Sequence, residues 1–454
     1  MSDPIGRPNA RLGIIDAAMM IVGIVVGAGI FRAPGLVAGG ASDGPSLIAL
    51  WALGGLISLC GALCYAELST AFPDPGGEYH FLTRAWGRNV GFLFAWARLT
   101  VIPTGSIALL AFVFGDYAAE IVDIGPHGSV VYAGAAVLGL TGLNVLGLRF
   151  GTGLQNVLTA LVLLGLTAMI ALGLGASMDG PRVAATAPPA AGGAGIGLAL
   201  VFVLLTYGGW NEAAYLSAEV RGGRRNIVAA LVGGVAVVTV LYVLVNAAYL
   251  RVMGLEGLRA SQTVGSDLMR AVSGPGSAAG VSALIALAAL TSVNATVVMG
   301  SRTGYALGRD YRVFRPLGHW DPRANAPVPA LLLQGALAMG LVAVGALTRR
   351  GFETMVEYTA PVFWAFFLLT GLSLFVLRAR HPDASRPFRV PLYPLTPLVF
   401  CASCVWLLYS SIAYTKIGAA VGMGVLVLGV IPLWLERSRP RRLDAKVKVK
   451  EEGA

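Results

Sequence analysis

Apolar stretches of 18 residues or more recur along this chain almost from end to end, and no other feature limits its fold so severely. At 1.5 Å per residue, each such run can cross about 30 Å of hydrocarbon as a helix. Runs bounded by charge, proline and glycine lie near 13–38, 46–71, 89–115, 129–148, 153–176, 194–218, 227–250, 277–301, 328–348, 354–377, 393–415 and 418–435. Twelve spans in 454 residues leave little chain outside a bilayer. The composition agrees, with 56% hydrophobic and 12% charged residues, against about 25% charged in a soluble domain. These features exclude a soluble enzyme, a nucleic-acid binder and a secreted module.

An even number of spans puts both ends on one side, and Lys and Arg indicate which. With the N-terminus inside, the inner segments hold 23 of these residues and the outer segments seven. Both termini are therefore expected in the cytoplasm. The first residues, with Arg7 and Arg11 and no small-residue cleavage site, read as a tail before a retained helix. The basic stretch from Arg437 to Lys450 reads as a stop signal at an anionic leaflet. Cys60 and Cys64 share one apolar run and Cys401 and Cys404 another, and all four read as small core residues.

Two spans carry glycine where a helix should be uninterrupted. In the first, Gly23 precedes Gly27-Ala28-Gly29-Ile30-Phe31; in the sixth, Tyr207-Gly208-Gly209-Trp210-Asn211 falls near the middle. Helix propensity collapses there, and backbone can leave the helical ladder at membrane depth only around a polar cavity or inside protein. Breaks five helices apart are what two inverted five-helix repeats produce. The competing reading is that these glycines only let helices pack closely.

Gly27-Ala28-Gly29-Ile30-Phe31 resembles the G-[SA]-G-I-F segment of permeases in the amino acid-polyamine-organocation superfamily. Tyr207 to Asn211 resembles the sixth-helix motif of its L-type amino acid transporter branch. Tyr65-Ala66-Glu67-Leu68 with Gly76-Gly77-Glu78-Tyr79, Glu219-Val220 with Arg225-Asn226, Asn294 with Ser301-Arg302, and Arg386-Pro387-Phe388 extend the resemblance over roughly residues 12 to 435. The resemblance implies an all-α integral membrane protein of twelve helices on a leucine-transporter-like fold. Residues 1–12 would form a cytoplasmic tail, 13–176 and 194–377 the two inverted repeats, 393–435 the last two helices, and 436–454 a basic cytoplasmic tail. It further implies a secondary transporter of amino acids in the cytoplasmic membrane.

A zwitterionic amino acid needs donors for its carboxylate and acceptors for its ammonium, and interrupted helices offer both without a buried charge. By resemblance, the amides of Ala28, Gly29 and Ile30, next to Gly27, take the carboxylate. Carbonyls near Val25, Leu205, Thr206 and Gly208 take the ammonium, and Trp364 lines the pocket. The L-type branch carries a gating aromatic residue where this chain has Leu205.

Coupling rests on three departures. Val162 stands where cation-independent relatives carry a lysine, and Thr291 and Ser292 stand where they carry two glycines. With the carbonyls of Gly23 and Val26, those hydroxyls compose an all-oxygen sodium site, sodium being a hard cation suited to such a shell by analogy with other hard cations; alternatively they bond back to their own helix. Glu212, just past the sixth-span break, is the candidate for proton coupling if burial raises its pKa, and an uncoupled exchanger is the third reading. Glu67 and Arg98 are further ionisable groups inside spans, with structural and functional readings both open. No other cofactor is expected.

A membrane enzyme would need a convergent acid, base or metal cluster, and the four histidines, His80, His127, His319 and His381, fall in loops or span ends. A channel fits poorly with two broken helices enclosing a site, and no phosphate-binding loop points to ATP. The heavy-chain partner of the resembled family attaches through a cysteine after the third helix, and residues 116–128 contain none. A free-standing carrier with amino acid substrate and lipid as its partners is expected.

Overall fold

A computed structural model describes residues 22–23, 25–74, 77–147, 152–176, 195–211, 224–348, 350–415 and 417–437. Among these the fold is all helical, apart from an isolated bridge between Asp321 and Ala326. A 3-10 turn, Ala28–Phe31, leads into α1 (Ala33–Gly40), α2 (Gly44–Ala71), α3 (Glu78–Trp86), α4 (Arg88–Thr100), α5 (Ile102–Ala119), α6 (Gly128–Val145), α7 (Thr152–Gly175) and α8 (Ile196–Thr206). The second half holds α9 (Arg224–Ala260), α10 (Val264–Ser273), α11 (Pro275–Asp310), α12 (Val328–Thr348), α13 (Gly351–Arg380), α14 (Leu395–Thr415), α15 (Ile417–Leu428) and α16 (Val430–Arg437).

Ten helical stretches among the described residues are long and apolar enough to cross a membrane, α4 with α5 counting as one and α15 with α16 as another. The two expected spans missing from that set are the glycine-interrupted ones. The first appears as the 3-10 turn and the eight-residue α1, the sixth as the eleven-residue α8. Other boundaries differ from expectation for local reasons. Past residue 250 the chain runs on to Gly254, whose φ of +69° and ψ of 173° are not helical, so Arg224–Ala260 is two helical segments meeting at a kink. Between α4 and α5 the chain breaks at Val101, since Pro103 has no N–H for the ladder. At the start of α2, Asp43 caps the helix: its carboxylate accepts the Ser46 N–H at 2.8 Å while its own N–H donates to Ser46 Oγ at 3.0 Å, which lowers the Asp43 pKa. The short helices α3 and α10 fall between expected spans. In α10, Val264, Leu268 and Met269 turn inward while Asp267 and Arg270 turn to the polar side.

Which helices are central follows from burial of the most apolar stretch of each. It is 72% buried in Arg88–Ala119, 61% in Gly351–Arg380 and 56% in Gly44–Ala71, but only 17% in Ile417–Glu436. The α2 and α13 helices and the α4–α5 pair are therefore the most enclosed, and the last helix is peripheral. Small residues set the spacing. A methyl group at Gly54 would lie 2.3 Å from Val203 of α8, and one at Gly35 would lie 2.6 Å from the Ser261 carbonyl.

Candidate functional site

The first interruption begins where Val26 N–H closes the last helical bond on Val22 O at 2.7 Å. Gly27 is extended, with φ −93° and ψ −173°, and the 3-10 turn starts afresh at Ala28. The N–H groups of Ala28 and Gly29, at its start, have no acceptor three residues back within the turn. Ile30 and Phe31 are buried in the same turn, and the Phe31 carbonyl accepts the Tyr117 hydroxyl at 2.7 Å. In the second interruption Tyr207 N–H bonds to Val203 O, Gly208 N–H doubles back to Leu205 O at 3.0 Å, and Gly209 takes φ +110°. That conformation requires glycine.

These two interruptions meet. An atom at the missing Cβ of Gly29 would lie 3.5 Å from Thr206 Cγ2. Tyr242 of α9 joins them: its hydroxyl lies 2.9 Å from Val25 O and 3.3 Å from Thr206 O, one proton serving two carbonyls. Its ring stacks edge-on against Trp51 and Tyr207, with centroids 5.7 and 4.9 Å away. Amide donors of one interrupted helix and carbonyl acceptors of the other thus share one buried place.

The remaining candidates fall around this junction. Leu205 is half-buried with its carbonyl engaged by Gly208, and the Thr206 hydroxyl bonds back to Phe202 O at 2.7 Å. Trp364 is buried edge-on against Phe367, which also packs on Trp210. Gly23 abuts Thr159 of α7, a methyl there falling 2.7 Å from Thr159 Cγ2. Val162, one turn further along α7, is buried. Ser292 Oγ would lie 4.0 Å from a Cβ at Gly27, but the Thr291 hydroxyl bonds to Ala288 O at 2.8 Å, as the alternative reading had it. Val26 is buried at the interruption. Glu212 lies outside the described residues.

Charged groups flank the junction at both ends of the bundle. At the end where α5 finishes, buried Arg32 lies 3.1 Å from Glu353 of α13 and 3.5 Å from Asp116 of α5. Beyond it Arg270 pairs with Glu120 and Asp267, each at 2.5 Å, and burial raises the Asp267 pKa above its ordinary value. At the end where α2 finishes, Glu67 is bound by Arg378, and Arg98 faces Glu78. The tyrosine at 242 and the Arg32 cluster were not singled out from the sequence. The signal available was a tyrosine in an apolar run and an arginine directly after a glycine break.

The amino acid permease family model matches residues 12–431. The chain belongs to that family. It is 33% identical to the mouse b(0,+)-type amino acid transporter 1, over 84% of this chain and 79% of that protein. It is 26% identical to the serine/threonine exchanger SteT of Bacillus subtilis (strain 168), over 93% of this chain and 96% of that one. To the mouse large neutral amino acids transporter small subunit 2 it is 29% identical, over 92% of this chain and 80% of that one. Within this permease, Tyr242→Phe is expected to raise the substrate KM about five- to tenfold while the fold loses only about 1 kcal/mol, the net worth of one hydrogen bond. An unchanged KM would show that the hydroxyl merely caps two helix ends.

Proposed function

We propose that this permease is a secondary transporter that carries amino acids across the cytoplasmic membrane by alternating access. The observation that carries the reading is the meeting of the two interrupted helices at Gly29 and Thr206 under the Tyr242 hydroxyl. Substrate carboxylate would take the amides of Ala28 and Gly29, and the ammonium would use the second lone pairs of the Val25 and Thr206 carbonyls that the Tyr242 hydroxyl holds in place. In this reading twelve helices compose the membrane domain, with 13–176 and 194–377 as inverted repeats that rock about the site and 393–435 appended. We read the chain as a carrier rather than an enzyme, in keeping with its transporter relatives, and as working without a heavy chain.

Two coupling readings each have an observation in their favour. The closeness of Ser292 to the first interruption, and of Gly23 to Thr159, favours sodium carried with the substrate. The Thr291 hydroxyl turned onto Ala288 favours operation without a cation, and exchange is what the SteT name describes for that relative. Uptake of the common amino acids into proteoliposomes, with sodium replaced by choline at constant pH and ionic strength, tests both. Saturable uptake that falls severalfold without sodium, and falls likewise in Thr291→Ala/Ser292→Ala, supports coupling. Uptake indifferent to sodium but stimulated by amino acid inside assigns exchange, and absence of saturable uptake would reject the carrier.

Orientation follows the loop charges in this reading, with the Arg378 end of the bundle in the cytoplasm. Cysteines introduced at Asp123, between α5 and α6, and at Arg323, between α11 and α12, should be labelled by an impermeant maleimide from opposite faces of the membrane. Labelling of both from one face would overturn the topology.

A further inference from the structure

We propose that the recess between the end of α6, α11 and the start of α12 is a binding site for the phosphate of an anionic lipid, held by Arg302. The recess is open and measures about 230 Å³, with Asn144 of α6, Ser301 and Arg302 of α11, Trp320, and Pro327 and Leu331 at the start of α12 among its walls. Its polar walls differ in what they have left to give. The Asn144 amide donates to Leu140 O and to Asn294 Oδ1, each at 2.8 Å. The Ser301 hydroxyl donates to Val298 O at 2.9 Å, and the Trp320 indole N–H donates to Asn325 Oδ1 at 3.2 Å. Arg302 is exposed and makes no hydrogen bond or ion pair among the described residues. A free guanidinium among walls whose donors are already engaged leaves the recess one demand, for an anion that accepts its planar fork.

Depth and surroundings select a lipid. The α6 helix ends at Val145 and α12 begins at Val328, so the recess lies where hydrocarbon gives way to headgroups, the level at which arginine and tryptophan settle. Toward the bilayer centre the apolar surface continues. Met299, one turn before Arg302, is 43% exposed, and Leu332 of α12 is 54% exposed. A lipid laid here has its acyl chains against Met299 and Leu332 and its phosphate at Arg302. Away from the centre the charge is positive. Residues 302–323 carry five arginines, all exposed, against two aspartates, and the Asp321 carboxylate is engaged by the N–H groups of Arg323 at 2.7 Å and Ala324 at 3.1 Å. This apron concentrates anionic headgroups at the recess, and the positive end of the α12 dipole adds to it. A soluble phosphate could use Arg302 but would gain nothing from Met299 or Leu332, so the lipid is the tighter ligand. In the orientation that the loop charges give, the site faces the cytoplasmic leaflet, and it is independent of the cargo.

The test uses the full chain purified in detergent and read by native mass spectrometry, with phosphatidylglycerol, phosphatidylcholine and inorganic phosphate as probes. The protein is expected to hold one phosphatidylglycerol about tenfold more tightly than phosphatidylcholine. Arg302→Gln should weaken phosphatidylglycerol about tenfold and leave phosphatidylcholine unchanged, the loss of one charge-assisted contact. Arg302→Lys, which keeps the charge without the fork, should fall between. Arg323→Gln removes an equal charge outside the recess and should stay within about twofold of the parent, which separates a site from general attraction. In the unsubstituted protein, phosphatidylglycerol with a photoreactive acyl chain should attach to the peptides carrying Met299 and Leu332, so the site is tested even if Arg302→Gln does not fold. Equal binding of the two lipids, equal losses in Arg302→Gln and Arg323→Gln, or photolabel that misses both peptides would overturn the site. Displacement of phosphatidylglycerol by millimolar inorganic phosphate would overturn the lipid as its ligand.

Discussion

Gly208→Val is expected to weaken substrate binding about 10- to 100-fold in a protein that still folds. A Cβ at Gly208 would lie 2.9 Å from the Leu205 carbonyl oxygen, closer than such contacts occur, and that neighbour is backbone. The Leu205 turn must therefore shift, and with it the carbonyls proposed to receive the ammonium. Overpacking of this kind costs about 1–3 kcal/mol, which is the stated range if the strain is relieved at the site. Gly29 gives a graded comparison. Its Cβ position is 3.5 Å from Thr206 Cγ2, an ordinary contact, so Gly29→Ala should bind nearly as the parent does while Gly29→Val, with two more methyl groups, drives the interruptions apart. Gly233 on the exposed face of α9 has nothing within 4 Å of its Cβ position and serves as the control, with Gly233→Ala expected to be neutral. Isotope binding to purified protein, with melting temperature as the folding check, decides it. Parental affinity in Gly208→Val and Gly29→Val would make the interruptions packing devices only.

The interruptions were legible because glycine in mid-membrane is a local signal, and ten of the spans were legible because apolar length is one too. What the sequence could not disclose was pairing over distance. Arg32 and Glu353 are 321 positions apart, and neither carries a mark of the other. Tyr242 sits in an apolar run where a tyrosine reads as packing, and only the fold brings its hydroxyl to two broken backbones. Thr291 and Ser292 show the opposite limit. Both readings of their hydroxyls follow from the residue type, and rotamers that only the folded helix fixes turn one onto Ala288 and set the other beside Gly27. Arg98 was legible as an ionisable group inside a span, but Glu78, which it faces, stood beyond the expected spans.

Glu67→Leu is expected to destabilise the protein by about 3–5 kcal/mol, the loss that follows when one member of a buried ion pair is removed. Glu67 is 1% exposed and accepts Arg378 Nε at 2.7 Å, Arg378 Nη2 at 2.5 Å and the Val390 N–H at 2.7 Å, with Arg386 Nε 3.6 Å away. It ties the end of α2 to the end of α13 and to the connection that follows. Arg378 also lies 3.7 Å over the Tyr393 ring, and Arg386 donates to the carbonyls of Leu377 and His381. Without Glu67, Arg378 and Arg386 are left facing each other's positive charge. The double variant Glu67→Leu/Arg378→Met should therefore melt above Glu67→Leu alone, in a non-additivity of about 1–3 kcal/mol. Equal melting of single and double variants would show that the carboxylate acts through Val390 rather than through the arginines. Transport per folded molecule should be unchanged in the double variant, which separates a structural role for this carboxylate from a part in transport. Glu67 meets short bonds from Arg378 and Val390 that tie α2 to α13 and to the connection after it, away from the place where the interruptions meet.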